Sequence, residues 1–171
     1  DGAAVLMGMN ELFQIGLNKE KLCALGLRLG ADVPFCILGG TALAEGIGEV
    51  LTPIKGIGDE TKIVLCKPPI NVSTKEVYQS YSRRMAEMNQ RPRPDIDAFR
   101  QALEAGSEDW ISHTINVLEY VTAGQHPVIG EIEGIMSAYR PKAVLMSGSG
   151  PTVFGLFGEK QEEDAQAVYE K

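Results

Sequence analysis

Apolar residues repeat at helical spacing from position 3 to position 15 of the chain. Because Asp1 precedes this stretch and Gly16 follows it, the pattern predicts a helix with Asp1 as its N-cap or first-turn acid and Gly16 as its stop. A second helix is predicted over residues 18–29, where leucines share one face and Gly30 follows. The chain therefore opens with two amphipathic helices.

A β-hairpin is predicted next. Residues 41–45 and 49–54 are β-prone, and the glycines on either side of Ile47 form the turn that joins them. The segment 31–34 lies between the second helix and this hairpin. Because Pro34 biases the residue before it toward extended geometry, we expect a loop there.

The rest of the chain alternates between strand-length and helix-length patterns. Its predicted strands are Lys62–Cys66, Ala143–Met146 and Val153–Phe157. Its predicted helices follow a capping box at 73–76 and occupy residues 95–105, 107–113, a short stretch from 116, 128–138 and a stretch from 161, with a loop at 90–94. This order is typical of a ferredoxin-like split β-α-β arrangement without its final strand, and hence of an α+β fold. Because the pattern changes near residue 61, we expect two domains, 1–60 and 61–171.

Composition narrows the classes of function. The 171 residues are 44% hydrophobic and 23% charged, as in ordinary globular proteins. The net charge of −7 argues against nucleic acid or an acidic membrane surface as a partner, because an acidic protein surface is repelled by both. No apolar run is long enough to span a bilayer. The three cysteines and two histidines lack metal-ligand spacing, so we expect reduced thiols, a cytoplasmic protein and no metal held by these side chains.

The most distinctive motif lies between the last two predicted strands. It reads Ser147-Gly148-Ser149-Gly150-Pro151-Thr152. Its glycines permit positive φ angles and close backbone approach, and consecutive N–H groups in such a loop can bind an anion. A tight strand connection without a ligand would use the same residues, so the motif alone leaves both interpretations open.

A second candidate is Asp32, which stands among apolar neighbours just after the second predicted helix. A carboxylate in such surroundings is solvated, hydrogen-bonded or functional. It could cap local N–H groups of a turn. It could instead accept or orient the proton of a substrate hydroxyl during phosphoryl transfer.

Five stretches occur in an order that resembles the GHMP kinases. They begin at Asp1, Leu29, Ala44, Val72 and Met146 and read DGAAVL, LGADVPF, AEGIGE, VSTKEVY and MSGSGPTVFG. Together they are spread over nearly the whole chain. The resemblance implies the GHMP kinase fold, with 1–60 as the end of an ATP-binding domain and 61–171 as the C-terminal substrate domain.

The resemblance also implies a chemistry. It is strongest to the members that use ATP and Mg²⁺ to phosphorylate the 2-hydroxyl of cytidine-diphosphate-linked methylerythritol, a small molecule of isoprenoid precursor biosynthesis. Asp32 falls on the catalytic aspartate of those kinases. The implied substrate positions are Ile47, Thr74 and Tyr78, and the implied positions near the nucleotide phosphates are Asp1, Ser147, Gly148, Ser149, Gly150 and Thr152.

Parts of the family pattern are not in this sequence. The main phosphate-binding loop of the family would precede Asp1, and its catalytic lysine lies further upstream. We therefore expect this chain to be an internal piece of a longer protein and to be inactive alone. Residues 139–142 also replace the family's usual Gly-Ala turn.

Two other functions fit the same residues. One is a kinase for another small alcohol, such as homoserine or mevalonate, and the other is a non-catalytic ligand-binding domain on the same scaffold. The 72–78 stretch favours the cytidine substrate, and Asp32 argues against a non-catalytic domain. Asn116 and Glu119 are interpreted as helix caps, and Arg83 and Arg84 as part of a solvated face. A homodimer is left open.

Overall fold

The computed structural model describes residues 1–58, 60–87 and 94–171. These residues form two compact units, Asp1–Gly56 and Ile57–Lys171. The loop predicted at 90–94 falls, up to residue 93, outside the described residues. The assignment of 1–60 to an ATP-binding domain and of 61–171 to a substrate domain stays a prediction.

The first unit, which is described in full, contains helices and a hairpin. Its elements are α1 (Gly2–Leu12), α2 (Lys19–Leu27), α3 (Val33–Leu38), β1 (Ala42–Glu45) and β2 (Val50–Pro53). β1 and β2 pair antiparallel, with Glu45 opposite Val50, so the predicted hairpin is confirmed. The fully buried core of this unit is small and consists of Ala3, Leu22 and Ile37.

Helix α3 was not expected from the sequence. The prediction of an extended Val33 in a loop over 31–34 is wrong, because Val33 begins the helix. Pro34 lies in the first helical turn, where its missing N–H costs little, since the first N–H groups of a helix have no partner within it. Asp32 occupies the N-cap position, with φ −81° and ψ −15°.

Helix α1 begins as predicted and ends earlier. Asp1 is at the N-cap position, although its side chain makes no capping hydrogen bond. The helix ends at Leu12 and not at Gly16. Gln14 already has a left-handed φ of 51°, a conformation that breaks the helical path before the glycine is reached.

Close packing of α2 on α3 requires a glycine at position 26. A Cβ placed on Gly26 would lie 2.9 Å from Val33 Cγ1 and 3.0 Å from Ile37 Cδ1. A Cβ placed on Gly8 of α1 would meet nothing within 4 Å. The contact between α2 and α3 therefore depends on the absence of a side chain at residue 26.

The second unit packs helices against an antiparallel sheet. Its strands are β3 (Lys62–Cys66), β4 (Ala143–Met146) and β5 (Val153–Phe157), all at their predicted bounds. The strand order is β3-β5-β4, with β5 antiparallel to both neighbours. The helices are α4 (Thr74–Glu87), α5 (Ile96–Ala105), α6 (Glu119–Gln125), α7 (Val128–Ser137) and α8 (Glu162–Tyr169), with 3₁₀ helices at Glu108–His113 and Glu159–Gln161. The helix predicted at 107–113 is thus a 3₁₀ helix.

The core of the second unit lies between one face of this sheet and the helices. Val153 and Phe157 of β5 are completely buried, as is Ile129 of α7. The buried residues packed around them are Val64, Val77, Leu118, Val121, Met136, Met146, Ala165 and Val168. This core holds β4 and β5, and therefore the glycine-rich connection between them, in a fixed position.

The sequence prediction of an α+β fold is confirmed. No helix among residues 1–58, 60–87 and 94–171 combines the length and the apolar character needed to cross a bilayer. At the 139–142 turn, where the sequence departs from the Gly-Ala pattern, Arg140 has a φ of 53°. A side chain at that angle is sterically unfavourable, which explains why a glycine suits the position.

Candidate functional site

The glycine-rich segment forms a tight loop between β4 and β5. The Ser147 N–H donates to the Thr152 carbonyl at 2.7 Å, and the Gly150 N–H donates to the Ser147 carbonyl at 2.9 Å. Gly148 and Gly150 have φ angles of 58° and 84°, which side chains rarely adopt. A Cβ on Gly150 would also lie 2.5 Å from the Met146 sulfur, so this position has no room for a side chain.

Polar side chains from the first residue of α6 and from the segment just before it hold this loop. The Asn116 amide donates to the Met146 carbonyl at 2.7 Å and to the Gly148 carbonyl at 2.8 Å. A carboxylate oxygen of Glu119 accepts the Met146 N–H at 2.7 Å. The loop is therefore fixed by side chains from a different element as well as by its own turns.

Two consecutive N–H groups of the loop find no acceptor in the described part of the protein. Within the described ranges, the Gly148 N–H and the Ser149 N–H donate to no backbone or side-chain oxygen. Unpaired consecutive N–H groups in a glycine-rich turn attract anions, because each carries a partial positive charge and can donate a hydrogen bond to a phosphate oxygen. The geometry thus supports the anion-binding interpretation of the motif.

The start of α4 reaches the same loop. The Thr74 and Ser149 hydroxyl oxygens are 2.8 Å apart and share a hydrogen bond. Tyr78 lies one helical turn after Thr74 and is 55% exposed. A cavity of about 490 Å³ is lined by Tyr78, Asn116, Gly148 and neighbouring residues, so the second unit brings Thr74, Tyr78 and the glycine loop together.

A larger concavity of about 730 Å³ lies alongside α4 and α6. Its lining includes Asn116 and Glu119 but not Thr74, Tyr78 or the glycine loop. Arg84 forms one wall, and its guanidinium carbon lies 3.9 Å from the Tyr120 ring centroid. The sequence placed Arg84 on a solvated face and did not indicate this stacking.

The candidate residues of the first unit are Asp1, Asp32 and Ile47. Asp32 is exposed, and within the described residues its carboxylate has no hydrogen-bond or ion-pair partner. A Cβ on Gly48 would lie 3.9 Å from Asp32 Oδ1, so the hairpin turn lies close to the acid. Ile47 projects from that turn and is 77% exposed. The structure therefore places Asp32 and the turn that carries Ile47 side by side.

The hairpin turn is itself fixed by a carboxylate. Glu49 accepts the Ile47 N–H at 2.6 Å, and the Gly48 N–H donates to the Glu45 carbonyl at 3.0 Å. Gly46 has a φ of 70°, and a Cβ there would collide with the Glu49 carboxylate at 2.7 Å. The exposed Ile47 side chain is therefore held on a defined turn.

Three residues that hold the glycine loop were missed by the sequence interpretation. Asn116 does cap locally, because its Oδ1 accepts the Leu118 N–H at 3.0 Å, but its amide also binds the loop. Thr122 is completely buried and donates to the Ser149 carbonyl at 3.2 Å. The signal in the sequence is a polar residue at every third position, 116, 119 and 122, in an otherwise apolar segment. Glu119 and Thr122 lie on one face of α6, and Asn116 lies just before that helix.

The acids near the loop include one with a perturbed pKa. Burial, and secondly the charge of Glu119, raises the pKa of Glu133 above its ordinary value. Its Oε1 atom is shielded from solvent and has no hydrogen-bond partner in the described part of the chain. The described residues contain no cluster of three or more histidines, cysteines or acids that could hold a metal ion.

Comparison with known proteins gives a consistent family. The profile of the GHMP kinases C terminal matches residues 86–171, and that of the GHMP kinases N terminal domain matches residues 1–40. The 4-diphosphocytidyl-2-C-methyl-D-erythritol kinase of Alkaliphilus oremlandii is 49% identical over 99% of this chain and 56% of its own length. The kinase of the same name from Geobacillus kaustophilus is 45% identical over 99% of this chain and 56% of its own length.

Solved structures agree with this family. A 4-(cytidine 5'-diphospho)-2C-methyl-D-erythritol kinase superposes with a TM-score of 0.76 at 33% identity, over 98% of this chain and 59% of the other. Homoserine kinase from Cytophaga hutchinsonii superposes with a TM-score of 0.75 at 16% identity, over 97% of this chain and 56% of the other, which shows a shared fold alone. This chain spans about half the length of the curated relatives that it matches. On the profile matches and these identities, the chain belongs to the GHMP kinase family.

Proposed function

We propose that this chain carries the substrate residues and the acid of a kinase that transfers the γ-phosphoryl group of ATP to the 2-hydroxyl of 4-(cytidine 5'-diphospho)-2-C-methyl-D-erythritol. The observation that carries the proposal is the 490 Å³ cavity of the second unit. It places an exposed aromatic ring beside a loop with unpaired N–H groups, which suits a ligand that combines a flat base with phosphates. The names of the curated relatives support the same substrate.

Tyr78 and Thr74 are assigned to the cytidine part of the substrate. A flat base stacked on an aromatic side chain is stabilised by about 1–3 kcal/mol. Tyr78 is 55% exposed and lines the cavity, so part of its surface is accessible to a ligand. The Thr74 hydroxyl, already bonded to Ser149, can add a polar contact to the same ligand.

The glycine loop is assigned to phosphate oxygens. The unpaired N–H groups of Gly148 and Ser149 are its donors, and the hydroxyls of Ser147, Ser149 and Thr152 are further polar groups of the loop. In the first unit, Asp1 is at the N-cap of α1, and the free N–H groups of that helix start favour negative charge. Each of these two sets of N–H donors would favour phosphate without a large positive charge on its own unit.

Asp32 is assigned to the reacting hydroxyl. In the transfer, the hydroxyl oxygen attacks the γ-phosphorus, the bond to the bridging oxygen breaks, and ADP leaves. The hydroxyl proton is accepted or oriented by Asp32, whose carboxylate is free of protein partners within the described residues. Ile47 offers an exposed apolar side chain from the turn next to Asp32.

Magnesium belongs to the proposal through the nucleotide. The described residues provide no cluster of ligands for a metal ion held by side chains alone. Mg²⁺ commonly keeps several waters and binds mainly to substrate phosphates, whose charge it neutralises. It is therefore assigned to the ATP phosphates. A cytoplasmic location and the lack of a nucleic-acid partner stay predictions, and a homodimer stays open.

A calorimetric titration of this chain tests the substrate class. We expect saturable binding of cytidine diphosphate and no binding of homoserine or mevalonate under the same conditions. Binding of homoserine without binding of cytidine diphosphate would overturn the proposal in favour of another alcohol. In a coupled assay with the cytidine substrate, we expect the chain alone to turn over no ATP. Clear turnover would contradict the expectation that the phosphate-binding loop and the catalytic lysine of the family are also required.

A further inference from the structure

We propose that Asn116 is the positioning residue of the glycine loop, and that it orients the Ser149 N–H group, next to the free Gly148 N–H, toward an anionic ligand. This inference rests on the proposed function, because it assigns a cause to the anion-binding geometry of the same loop. Asn116 is not part of the loop and lies 32 residues before Gly148 in the chain. Its two donated hydrogen bonds join the segment just before α6 to both the end of β4 and the loop.

Planar peptide geometry links the Asn116 contact to a specific N–H group. In a trans peptide the C=O and the following N–H point in opposite directions. Because the Gly148 carbonyl points to the Asn116 amide at 2.8 Å, the Ser149 N–H points away from Asn116. Loss of this hydrogen bond would free the Gly148–Ser149 peptide to rotate.

The carbonyl groups and the N–H groups of the loop differ in how many have hydrogen-bond partners. Each carbonyl from Met146 to Ser149 accepts a hydrogen bond, from Asn116, the Gly150 N–H, Asn116 again and Thr122 in turn. The N–H groups of Gly148, Ser149 and Thr152 have no acceptor among the described residues. The carbonyl oxygens of residues 146–149 are therefore all occupied, while the consecutive N–H groups of Gly148 and Ser149 are free, an arrangement that favours an anion.

The orientation of the Asn116 amide is itself determined. Its Oδ1 accepts the Leu118 N–H at 3.0 Å, and its nitrogen faces two carbonyl oxygens. The opposite amide orientation would place Oδ1 against both carbonyls and the NH₂ group against an N–H donor, which leaves every contact repulsive. Asn116 therefore has one stable arrangement, and that arrangement holds the loop.

A substitution can separate the two roles of Asn116. Asn116→Ser keeps a side-chain oxygen for the local turn, because serine replaces asparagine well at such positions, but it removes the NH₂ donors to the loop. The matched control is Asn18→Ser at the N-cap of α2. Asn18 Oδ1 accepts the Lys21 N–H at 3.0 Å, so the control makes the same chemical change at a cap in the first unit.

The experiment is a ¹⁵N NMR titration of the chain with inorganic pyrophosphate. In the unsubstituted chain we expect saturable shifts of the Gly148 and Ser149 amides. With two hydrogen bonds lost, Asn116→Ser should bind pyrophosphate roughly tenfold more weakly. Asn18→Ser should bind as the unsubstituted chain does. A urea midpoint for each variant shows whether the loss of binding exceeds any loss of stability.

A second pair of variants guards against a misfolded Asn116→Ser. Thr122→Val removes the donor to the Ser149 carbonyl and should also weaken pyrophosphate binding, whereas Thr122→Ser keeps the hydroxyl and should restore it. Equal affinity of the unsubstituted, Asn116→Ser and Thr122→Val chains would overturn the positioning role while the anion site stands. Absence of any loop shift in the unsubstituted chain would overturn both the anion site and this inference.

Discussion

The stacking role of Tyr78 gives a prediction whose size follows from the structure. Tyr78→Ala removes a ring that lies on α4 beside the glycine loop and is 55% exposed. A tyrosine has about 200 Å² of surface to bury, so the exposed part is about 110 Å², and one stacked face covers about half of that. At about 25 cal/mol per Å², the covered face is worth roughly 1.4 kcal/mol, or about a tenfold change in affinity.

Isothermal titration calorimetry with cytidine diphosphate measures this change. Tyr78→Phe should bind within about threefold of the unsubstituted chain, because the ring that stacks is kept. The matched control is Tyr169→Ala in α8, which removes a tyrosine that is 75% exposed and should leave the affinity unchanged. If Tyr78→Ala bound cytidine diphosphate as tightly as Tyr169→Ala, the ring would not contact the base and the assignment of this cavity would be wrong.

Three further predictions concern catalysis and stability. The first uses a protein that carries the family's preceding segment ahead of this chain. Asp32→Asn should lower its kcat by about 10²–10⁴-fold and leave its Tm unchanged, because the exposed carboxylate makes no stabilising contact. A near-normal kcat would exclude a catalytic role for Asp32. Gly26→Ala should lower the free energy of unfolding in urea by about 1–3 kcal/mol through overpacking, whereas Gly8→Ala should raise it by about 0.5–1 kcal/mol. Equal effects of the two substitutions would contradict the close packing at residue 26. Burial raises the pKa of Glu133, so the folded chain binds the carboxyl proton of Glu133 more tightly than the unfolded chain does. The protonated Glu133 therefore adds its full contribution to stability below the ordinary glutamate pKa, and this contribution is lost as the pH rises through the raised value. Glu133→Gln should reduce the loss of unfolding free energy between acid and neutral pH, as measured by urea titrations. An unchanged dependence of that free energy on pH would contradict the prediction.

The strands of the second unit could be predicted from the sequence because their pattern is local. Three short runs of apolar and β-branched residues, bounded by proline, glycine or charged residues, gave the bounds that the structure has. Their order also predicted the α+β arrangement. The glycine loop was recognisable for the same reason, since its unusual backbone angles require glycines at 148 and 150.

Helix α3 and the residues that hold the loop could not be predicted in this way. Pro34 is equally compatible with an extended turn and with the first turn of a helix, and the packing of Val33 and Ile37 on Gly26 decides between them. Asn116 is a plausible helix cap by any local criterion. Its role at the loop depends on a contact across thirty residues of chain, which no local pattern contains.

Phosphorus-31 NMR of the reaction products is the most direct measurement of the proposed chemistry. The protein is this chain joined to the preceding segment of a relative, supplied with ATP, Mg²⁺ and 4-(cytidine 5'-diphospho)-2-C-methyl-D-erythritol. We predict a new phosphomonoester on the 2-hydroxyl and ADP in equal amounts, both lost with Asp32→Asn. Phosphorylation of homoserine instead, or an undiminished product signal from the Asp32→Asn protein, would contradict the proposal.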